Sequence, residues 1–352
     1  MDRPTYRHKP IRSVASLCRA LGEKEEFLRS LASRTGRLYR GPIPKPKKNG
    51  KGTRDVYDAK HPLKPLLQKI NRVFFRNVDY PDYLQGSLAG RDPTTNALVH
   101  RNSRLLVSED ISKFFDHIDD DRVFSVWHGC FRFDEESSKL LTEITTMDGF
   151  VRQGAPTSSY LGNLAFWDVE GAVVTKLREQ GFRYSRFVDD VAFSSQRPMS
   201  SDDVAWAIAQ LYAMMGSRGF KPQRGKHEFQ TSAKRVSIMR FGVNRDPSLS
   251  RKERSNIRGH LHKLEVMALR GALTQEFHSS LRSLQGRLSR LKRMHPKESA
   301  DLKTRFDLLR NLASQEPTAV SAKSSNSTNN SSPQNQHNNA ASSKGPSDAP
   351  WD

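Results

Sequence analysis

The sequence predicts an α+β fold, with short strands that carry carboxylates set among helices. Three observations carry this reading. RLLVSED (104–110) alternates apolar and polar residues as a strand does and ends on Asp110; FRYSRF and VAFSS flank Val188, Asp189 and Asp190 as the two arms of a hairpin; and from about residue 250 leucines recur at helical spacing.

In chain order, residues 1–40 read as an N-terminal helical segment. Within it, 13 to 33 form one or two short amphipathic helices, with Ser13 as a cap and Leu17, Leu21, Phe27, Leu28 and Leu31 as the apolar face. GPIPKPKKNGKGTRDV (41–56) has turn residues and many cations but few apolar side chains, which suits a basic hairpin or loop. Residues 60 to 77 return to a helix. After the strand ending at Asp110, the run Asp119, Asp120 and Asp121 can cap a helix bearing Val123, Phe124 and Val126. QGAPTSS (153–159) reads as a loop, and Tyr160 to Leu177 as one helix closed near Gly181. The hairpin then presents two adjacent aspartates at its turn, within a unit expected to span 41–245.

A basic helical module follows over 246–313, with 15 Lys and Arg against 6 Asp and Glu between Ser250 and Ala313. Leu281, Leu284, Leu288 and Leu291 share one face, while Arg282, Arg287, Arg290 and Arg293 fall largely on the other, and Pro296 interrupts the helix. Residues 314–352 turn to Ser, Asn, Gln and Pro, a composition expected to stay disordered.

The whole chain of 352 residues carries a formal charge of +20. Such a field concentrates polyanions, nucleic acid first among them; a surface kept basic for solubility, or one that sits on anionic lipid, is the competing explanation. Only two cysteines occur, Cys18 and Cys130, with no Cys/His cluster, which argues against a structural zinc or a disulfide framework and suits a reducing cytoplasm. No run of about 18 apolar residues and no signal peptide are recognisable, so neither a membrane anchor nor export is expected.

Phosphoryl transfer assisted by two divalent cations needs them about 3.5–4 Å apart, and magnesium is content with a few carboxylates plus phosphate and water oxygens. Asp110 at a strand end and Asp189 with Asp190 at a hairpin make such a set, although an Asp-Asp pair taken alone is usually a solvated turn.

The order EDISKFFDHI (109–118), RQGAPTSSYLGNL (152–164), RFVDDVAF (186–193) and GFKPQRGK (219–226) resembles the sequential palm motifs of reverse transcriptases. The resemblance implies a right-hand polymerase fold, with fingers, a palm built on an antiparallel sheet, and a helical thumb. It implies RNA-directed DNA polymerase activity with Asp110, Asp189 and Asp190 as catalytic residues, which together with Ile111 hold two Mg2+ ions. Gln153 and Gly154 would contact the incoming deoxynucleoside triphosphate and the template. Phe115 would lie under the sugar and exclude a 2′-hydroxyl, with Phe114 as its core neighbour. In the basic hairpin Lys47 and Arg54 resemble the residues that clamp the triphosphate, Lys48 and Lys51 being rivals of Lys47. A guanidinium fork and an ammonium both suit phosphate oxygens. Lys226 matches the lysine that protonates the pyrophosphate leaving group, or is a surface lysine after a turn.

NALVH (96–100), within GSLAGRDPTTNALVH, resembles the NAxxH signature of retron reverse transcriptases, a likeness that covers roughly 40 to 310. It implies that Asn96 and His100 position RNA, with His100 as a hydrogen-bonded core histidine the alternative. Arg287, Arg290 and Arg293 lie on what is usually a solvated face, and their company with these motifs makes their helix the candidate for gripping the duplex. The retron likeness also implies a product in which single-stranded DNA is joined to the 2′-hydroxyl of a guanosine in a cognate structured noncoding RNA, the multicopy single-stranded DNA of retrons. The expected partners are that RNA and its DNA copy, an accessory effector protein in anti-phage defence, and a host ribonuclease H to remove the template. Three positions depart from the pattern: FVDD lacks the tyrosine and small residue usual before the aspartates, Ser159 replaces a proline, and no VTG triplet stands near KRVSIMRFGVN (234–244). Another bacterial defence reverse transcriptase, an untemplated DNA polymerase, a group II intron maturase and a non-catalytic RNA-binding scaffold remain the competing readings.

Overall fold

The computed structural model describes residues 3–46 and 52–315. Lys47, with its rivals Lys48 and Lys51, lies outside the described residues. So does the expected tail, except that Ser314 and Gln315 complete the last helix.

The chain opens with a two-residue strand β1 (Thr5–Tyr6), then α1 (Val14–Leu21) and α2 (Glu25–Ala32). Ser13 caps α1 by accepting from the Ser16 N–H, and Leu17, Leu21, Leu28 and Leu31 are buried, as the apolar spacing required. The basic segment is a hairpin of β2 (Tyr39–Pro46) and β3 (Thr53–Ala59), bulged between Arg40 and Ile43. Next come α3 (Leu63–Val73), a short 3-10 turn (Phe75–Asn77), and β4 (Val78–Asp79), which pairs with β1. Helix α4 (Pro93–Val99) starts from Asp92, whose carboxylate accepts from the N–H groups of Thr94 and Thr95 in a capping box.

Strand β5 (Leu105–Asp110) leads to α5 (Asp120–Ser125), capped by Asp119, and α6 (Glu135–Thr145). The helix expected from Tyr160 to Leu177 is two helices, α7 (Ser158–Leu164) and α8 (Glu170–Glu179). The break has a cause that lies elsewhere in the chain: the Arg186 guanidinium donates to the carbonyls of Gly162 and Asn163, and the intervening residues tighten into three-residue turns. The hairpin of β6 (Arg183–Phe187) and β7 (Asp190–Ser195) follows, then α9 (Ser201–Gly216) and β8 (Glu228–Thr231). These strands form one antiparallel sheet in the order β6-β7-β5-β8.

Because side chains alternate across a strand, β5 divides its apolar residues between two cores. Leu105 and Val107 join the larger one, with Val191, Phe193, Leu211 and the Phe74–Trp127–Phe133 aromatics. Leu106 joins a second core with Ala97 and Ala192. That core is completed by the short strands β9 (Ser237–Ile238), β10 (Phe241–Gly242) and β11 (Ser248–Leu249), and by three C-terminal helices. The helices are α10 (Arg251–Leu269), α11 (Gln275–Met294) and α12 (Pro296–Gln315), and Leu281, Leu284, Leu288 and Leu291 of α11 are all buried. The mixture of helices and antiparallel strands agrees with the α+β expectation. Among the described residues no helix is long and apolar enough to cross a membrane.

Candidate active site

The register of the central sheet brings two of the predicted carboxylates face to face. Asp110, last in β5, pairs with Asp190, first in β7, and Asp190 also pairs with Phe187 across the hairpin. Val188 and Asp189 make the two-residue turn between, and the Ile111 N–H donates to the Asp189 carbonyl at 3.0 Å. Val188 has φ +62, an uncommon conformation for a β-branched residue. Its peptide lies directly against Gly86, where an added Cβ would come within 2.7 Å of the Val188 nitrogen. Only a glycine permits that approach.

Crowding of like charges shows in the acid strengths. Asp190 is open to water on one side and walled in on the others. That enclosure first, then Asp189 and Asp110, pushes its carboxyl up to about 7, and a hydrogen bond between the Asp110 and Asp190 carboxyls adds to the rise. Asp189 is also raised, by burial and then by Asp110, with Lys226 and Arg54 opposing. Among the described residues no three acidic, imidazole or thiol groups stand close enough to hold an ion unaided. Magnesium needs only one or two carboxylates when substrate phosphates supply the remaining oxygens, so the donor set fits it. A cation already stands there: Lys226 Nζ donates to Asp110 Oδ1 at 2.8 Å. Burial is the largest single influence and lowers the lysine pKa, but the bond to Asp110 and the charges of Asp110, Asp190 and Asp189 together outweigh it and the net shift is upward.

The segment carrying Lys226 is tied to the end of β5 on both sides. The Gln223 N–H donates to the Asp110 carbonyl at 2.7 Å, and Ser112 N–H to the Lys221 carbonyl at 2.9 Å. His227 Nδ1 hydrogen-bonds Glu109 Oε1 at 2.6 Å, and Tyr212 of α9 donates to the same oxygen at 3.2 Å. Glu109 is buried and points away from Asp110, as neighbours on a strand must.

The remaining predicted residues fall at different distances from this centre. Phe114 is buried against Phe166 and Phe220, whereas Phe115 is half-buried. The Gln153 carbonyl accepts from the Tyr57 N–H at 2.8 Å, so the 153–157 loop is fastened to β3. Gly154 is required there, with φ +108 and a would-be Cβ 2.5 Å from the Tyr57 oxygen. Arg54, exposed on β3, pairs with Lys45 and lowers the Asp189 carboxyl electrostatically.

Asn96 and His100, expected to position RNA, are 1% and 0% exposed, and His100 has the setting of the hydrogen-bonded core histidine that was its alternative. His100 bridges Ser194 and Ser185, each at 2.8 Å, and pins α4 to the hairpin strands; burial, with Arg183 adding, pushes its imidazole down to about 3. Among the described residues Asn96 Nδ2 reaches only the Met239 sulfur at 3.5 Å, and its oxygen has no partner. On α11, Arg287 is exposed, while Arg290 pairs with Glu253 at 3.1 Å and Arg293 with Asp92.

Sequence reasoning missed Arg186 and Glu170. Arg186 is 0% exposed and spends all five N–H groups: two on Glu170, at 2.6 and 2.8 Å, and three on the carbonyls of Gly162, Asn163 and Val188. The Tyr184 hydroxyl adds a bond to Glu170 Oε1 at 2.7 Å. The hint was an arginine two residues before the turn, inside an otherwise buried strand.

Known proteins align along most of this chain. The chain is 28% identical over 307 residues to the retron Se72 reverse transcriptase of Salmonella heidelberg (strain 579083-10), covering 86% of this chain and 81% of that protein. It is 28% identical over 333 residues to the retron Ec48 reverse transcriptase of Escherichia coli, 88% and 79%. With the retron Mx65 reverse transcriptase of Myxococcus xanthus it shares 24% over 277 residues, 74% and 62%. A family model for the syntaxin-5 N-terminal, Sly1p-binding domain matches residues 274–287 alone, one stretch at the start of α11, and carries no functional argument. The retron resemblance first seen in short motifs thus extends over most of the chain.

Proposed function

We infer that the chain is a retron-type reverse transcriptase, an RNA-directed DNA polymerase that copies a cognate structured noncoding RNA into branched, RNA-linked single-stranded DNA. The observation that carries the inference is the register that sets Asp110 against Asp190 at one end of an antiparallel sheet, with Asp189 in the adjoining turn. In this reading the four-stranded sheet is the palm, the β2–β3 hairpin belongs to the fingers and α10–α12 are the thumb. The RNA is joined by an accessory effector in anti-phage defence and by a host ribonuclease H.

Asp110, Asp189 and Asp190, with the main chain at Ile111, would hold two Mg2+ ions; bound there, the ions would acidify the attacking hydroxyl and neutralise charge on the leaving pyrophosphate. Everything else falls to the side chains around them. Gln153 and Gly154, fastened to β3 through Tyr57, form the floor for template and nucleotide. Phe115, half-buried beside the fixed Phe114, presents a rigid edge to the sugar. Arg54 offers a fork of donors to the triphosphate from the hairpin above Asp189. Lys226, which rests on Asp110, would on release give a proton to the leaving group.

The test is DNA synthesis by the purified protein with its RNA, magnesium and deoxynucleoside triphosphates. Asp189→Asn and Asp190→Asn should each lower the yield at least a hundredfold, and equal yields would remove the catalytic assignment. The product of the wild type should mirror the RNA and remain covalently attached to it. An untemplated sequence would favour the rival polymerase reading.

A further inference from the structure

Lys226 sits where a cation is needed, and its placement has little to do with local chain stiffness. The side chain is 57% exposed, so it is free to swing, yet it is directed onto Asp110, a largely covered carboxylate. Three anchors on the flanking backbone and side chains account for this: Gln223 N–H on the Asp110 carbonyl, Ser112 N–H on the Lys221 carbonyl, and the next residue, His227, on Glu109. The third differs from the others. It reaches a buried carboxylate on the opposite face of β5, whose Oε1 takes both His227 and the Tyr212 hydroxyl while Oε2 has no partner among the described residues, so the imidazole is one of only two groups seen to hold this carboxylate there.

We propose that Lys226 is an internal counter-ion that a divalent cation must displace from Asp110, and that Glu109 and His227 are positioning residues that keep it there in the metal-free protein. An ammonium 2.8 Å from Asp110 Oδ1 and a divalent ion coordinated by the same carboxylate cannot share that oxygen and its surroundings without strong repulsion. The lysine therefore offsets the repulsion among Asp110, Asp189 and Asp190 while the site is empty of metal, and it lowers the site's affinity for metal offered without nucleotide. Nucleotide phosphates give the released ammonium a second partner, which couples tight metal binding to arrival of substrate. This proposal rests on the reverse transcriptase reading for the identity of the metal site.

The experiment is a titration of the full-length protein with Mn2+ alone, followed by electron paramagnetic resonance of the free ion, with no nucleotide or nucleic acid present. Lys226→Gln should bind Mn2+ at least fivefold more tightly than wild type, and His227→Ala should tighten it by a smaller factor. His227→Asn, whose amide nitrogen can replace Nδ1 as donor to Glu109, should return to the wild-type value. Arg224→Gln removes the same charge from the same turn without touching Asp110 and should change affinity less than twofold. Equal or weaker binding by Lys226→Gln, or equal tightening by Arg224→Gln, overturns the counter-ion. An unchanged His227→Ala overturns the anchor. The Asp189→Asn and Asp190→Asn synthesis assays answer separately for the polymerase reading, since they do not depend on where Lys226 rests.

Discussion

Replacing Arg186 by methionine is the most demanding test of how the carboxylate turn is held. The substitution keeps much of the side-chain volume but deletes a fully buried charge and five hydrogen bonds. Glu170 would keep only the Tyr184 hydroxyl at 2.7 Å, and the carbonyls of Gly162, Asn163 and Val188 would lose this donor. Removing one partner of a buried pair destabilises by about 3–5 kcal/mol, because the other charge stays buried and unpaired. Glu170→Met should destabilise by a similar amount. In the double variant no charge is stranded, so its loss should fall at least about 2 kcal/mol short of the sum of the two, the remainder being the donors lost to the Asn163 and Val188 carbonyls at about 1–3 kcal/mol each where water cannot reach them, since the Gly162 carbonyl keeps the Ala165 N–H at 3.3 Å. The assay is urea unfolding of the four proteins as a double-mutant cycle, with primer-extension rates measured well below each melting temperature. Arg186→Lys is the sharper kinetic probe: an ammonium with three donors cannot serve Glu170 and three carbonyls, so the Val188 carbonyl should go free and synthesis should fall more than stability does. A loss under about 1 kcal/mol for Arg186→Met, or single losses that add in the double variant, would refute the account.

Three further outcomes follow from particular residues. His100 stays neutral in the fold down to about pH 3, while an unfolded imidazole takes a proton below about 6.5. Its contribution is therefore intact above pH 6.5 and is lost as pH falls; at pH 5 the loss is about 2 kcal/mol, and His100→Gln should flatten that part of the stability profile in urea titrations at pH 7.5 and 5. Gly154→Ala forces a Cβ to within 2.5 Å of the Tyr57 oxygen at φ +108, so the 153–157 loop should part from β3 and the KM for deoxynucleotide should rise at least tenfold, with an unchanged KM counting against the loop's role. For Asp190, whose carboxyl is raised to about 7, stability of the metal-free protein is fully present below the unfolded carboxylate's range, about 4, and is lost as pH rises through 7. Magnesium must displace that proton, so the rise in melting temperature on adding Mg2+ should grow from pH 6 to 8 and vanish in Asp190→Asn; a pH-independent rise would show that this carboxyl does not meet the ion.

What could be read from the sequence is whatever depends on a short window. Ser13 as a cap, the strand ending on Asp110, the hairpin around Asp189 and the leucine face of α11 are all set by neighbours within a few residues, and all appear in the structure. The break between α7 and α8 could not be read, because the guanidinium that interrupts the carbonyl ladder at Gly162 and Asn163 comes from a strand more than twenty residues later. The partners of His100 could not be read for a related reason. Its ring is satisfied by two serines on two other strands, Ser185 and Ser194, and nothing near NALVH announces them. Glu109 passed unnoticed beside Asp110 because a sequence does not say which of two adjacent acids faces inward.

That last choice is where packing governs chemistry. Adjacent residues of β5 point to opposite faces, so a slip of one residue would bury Asp110 beneath Tyr212 and turn Glu109 toward Asp190. Both faces resist the slip. Leu105 and Val107 are committed to one core and Leu106 to the other, so a shifted strand would carry Ser108 into apolar surroundings and expose a leucine. Next to β5, Ser194 of β7 is held by His100, and β6 by Ser185 on the same ring and by Arg186 on Glu170, so the partner strands are fixed against slipping with it. A buried histidine and a buried arginine thus help decide which carboxylate stands opposite Asp190, and the position of Asp110 is a consequence of two hydrophobic cores meeting on one strand.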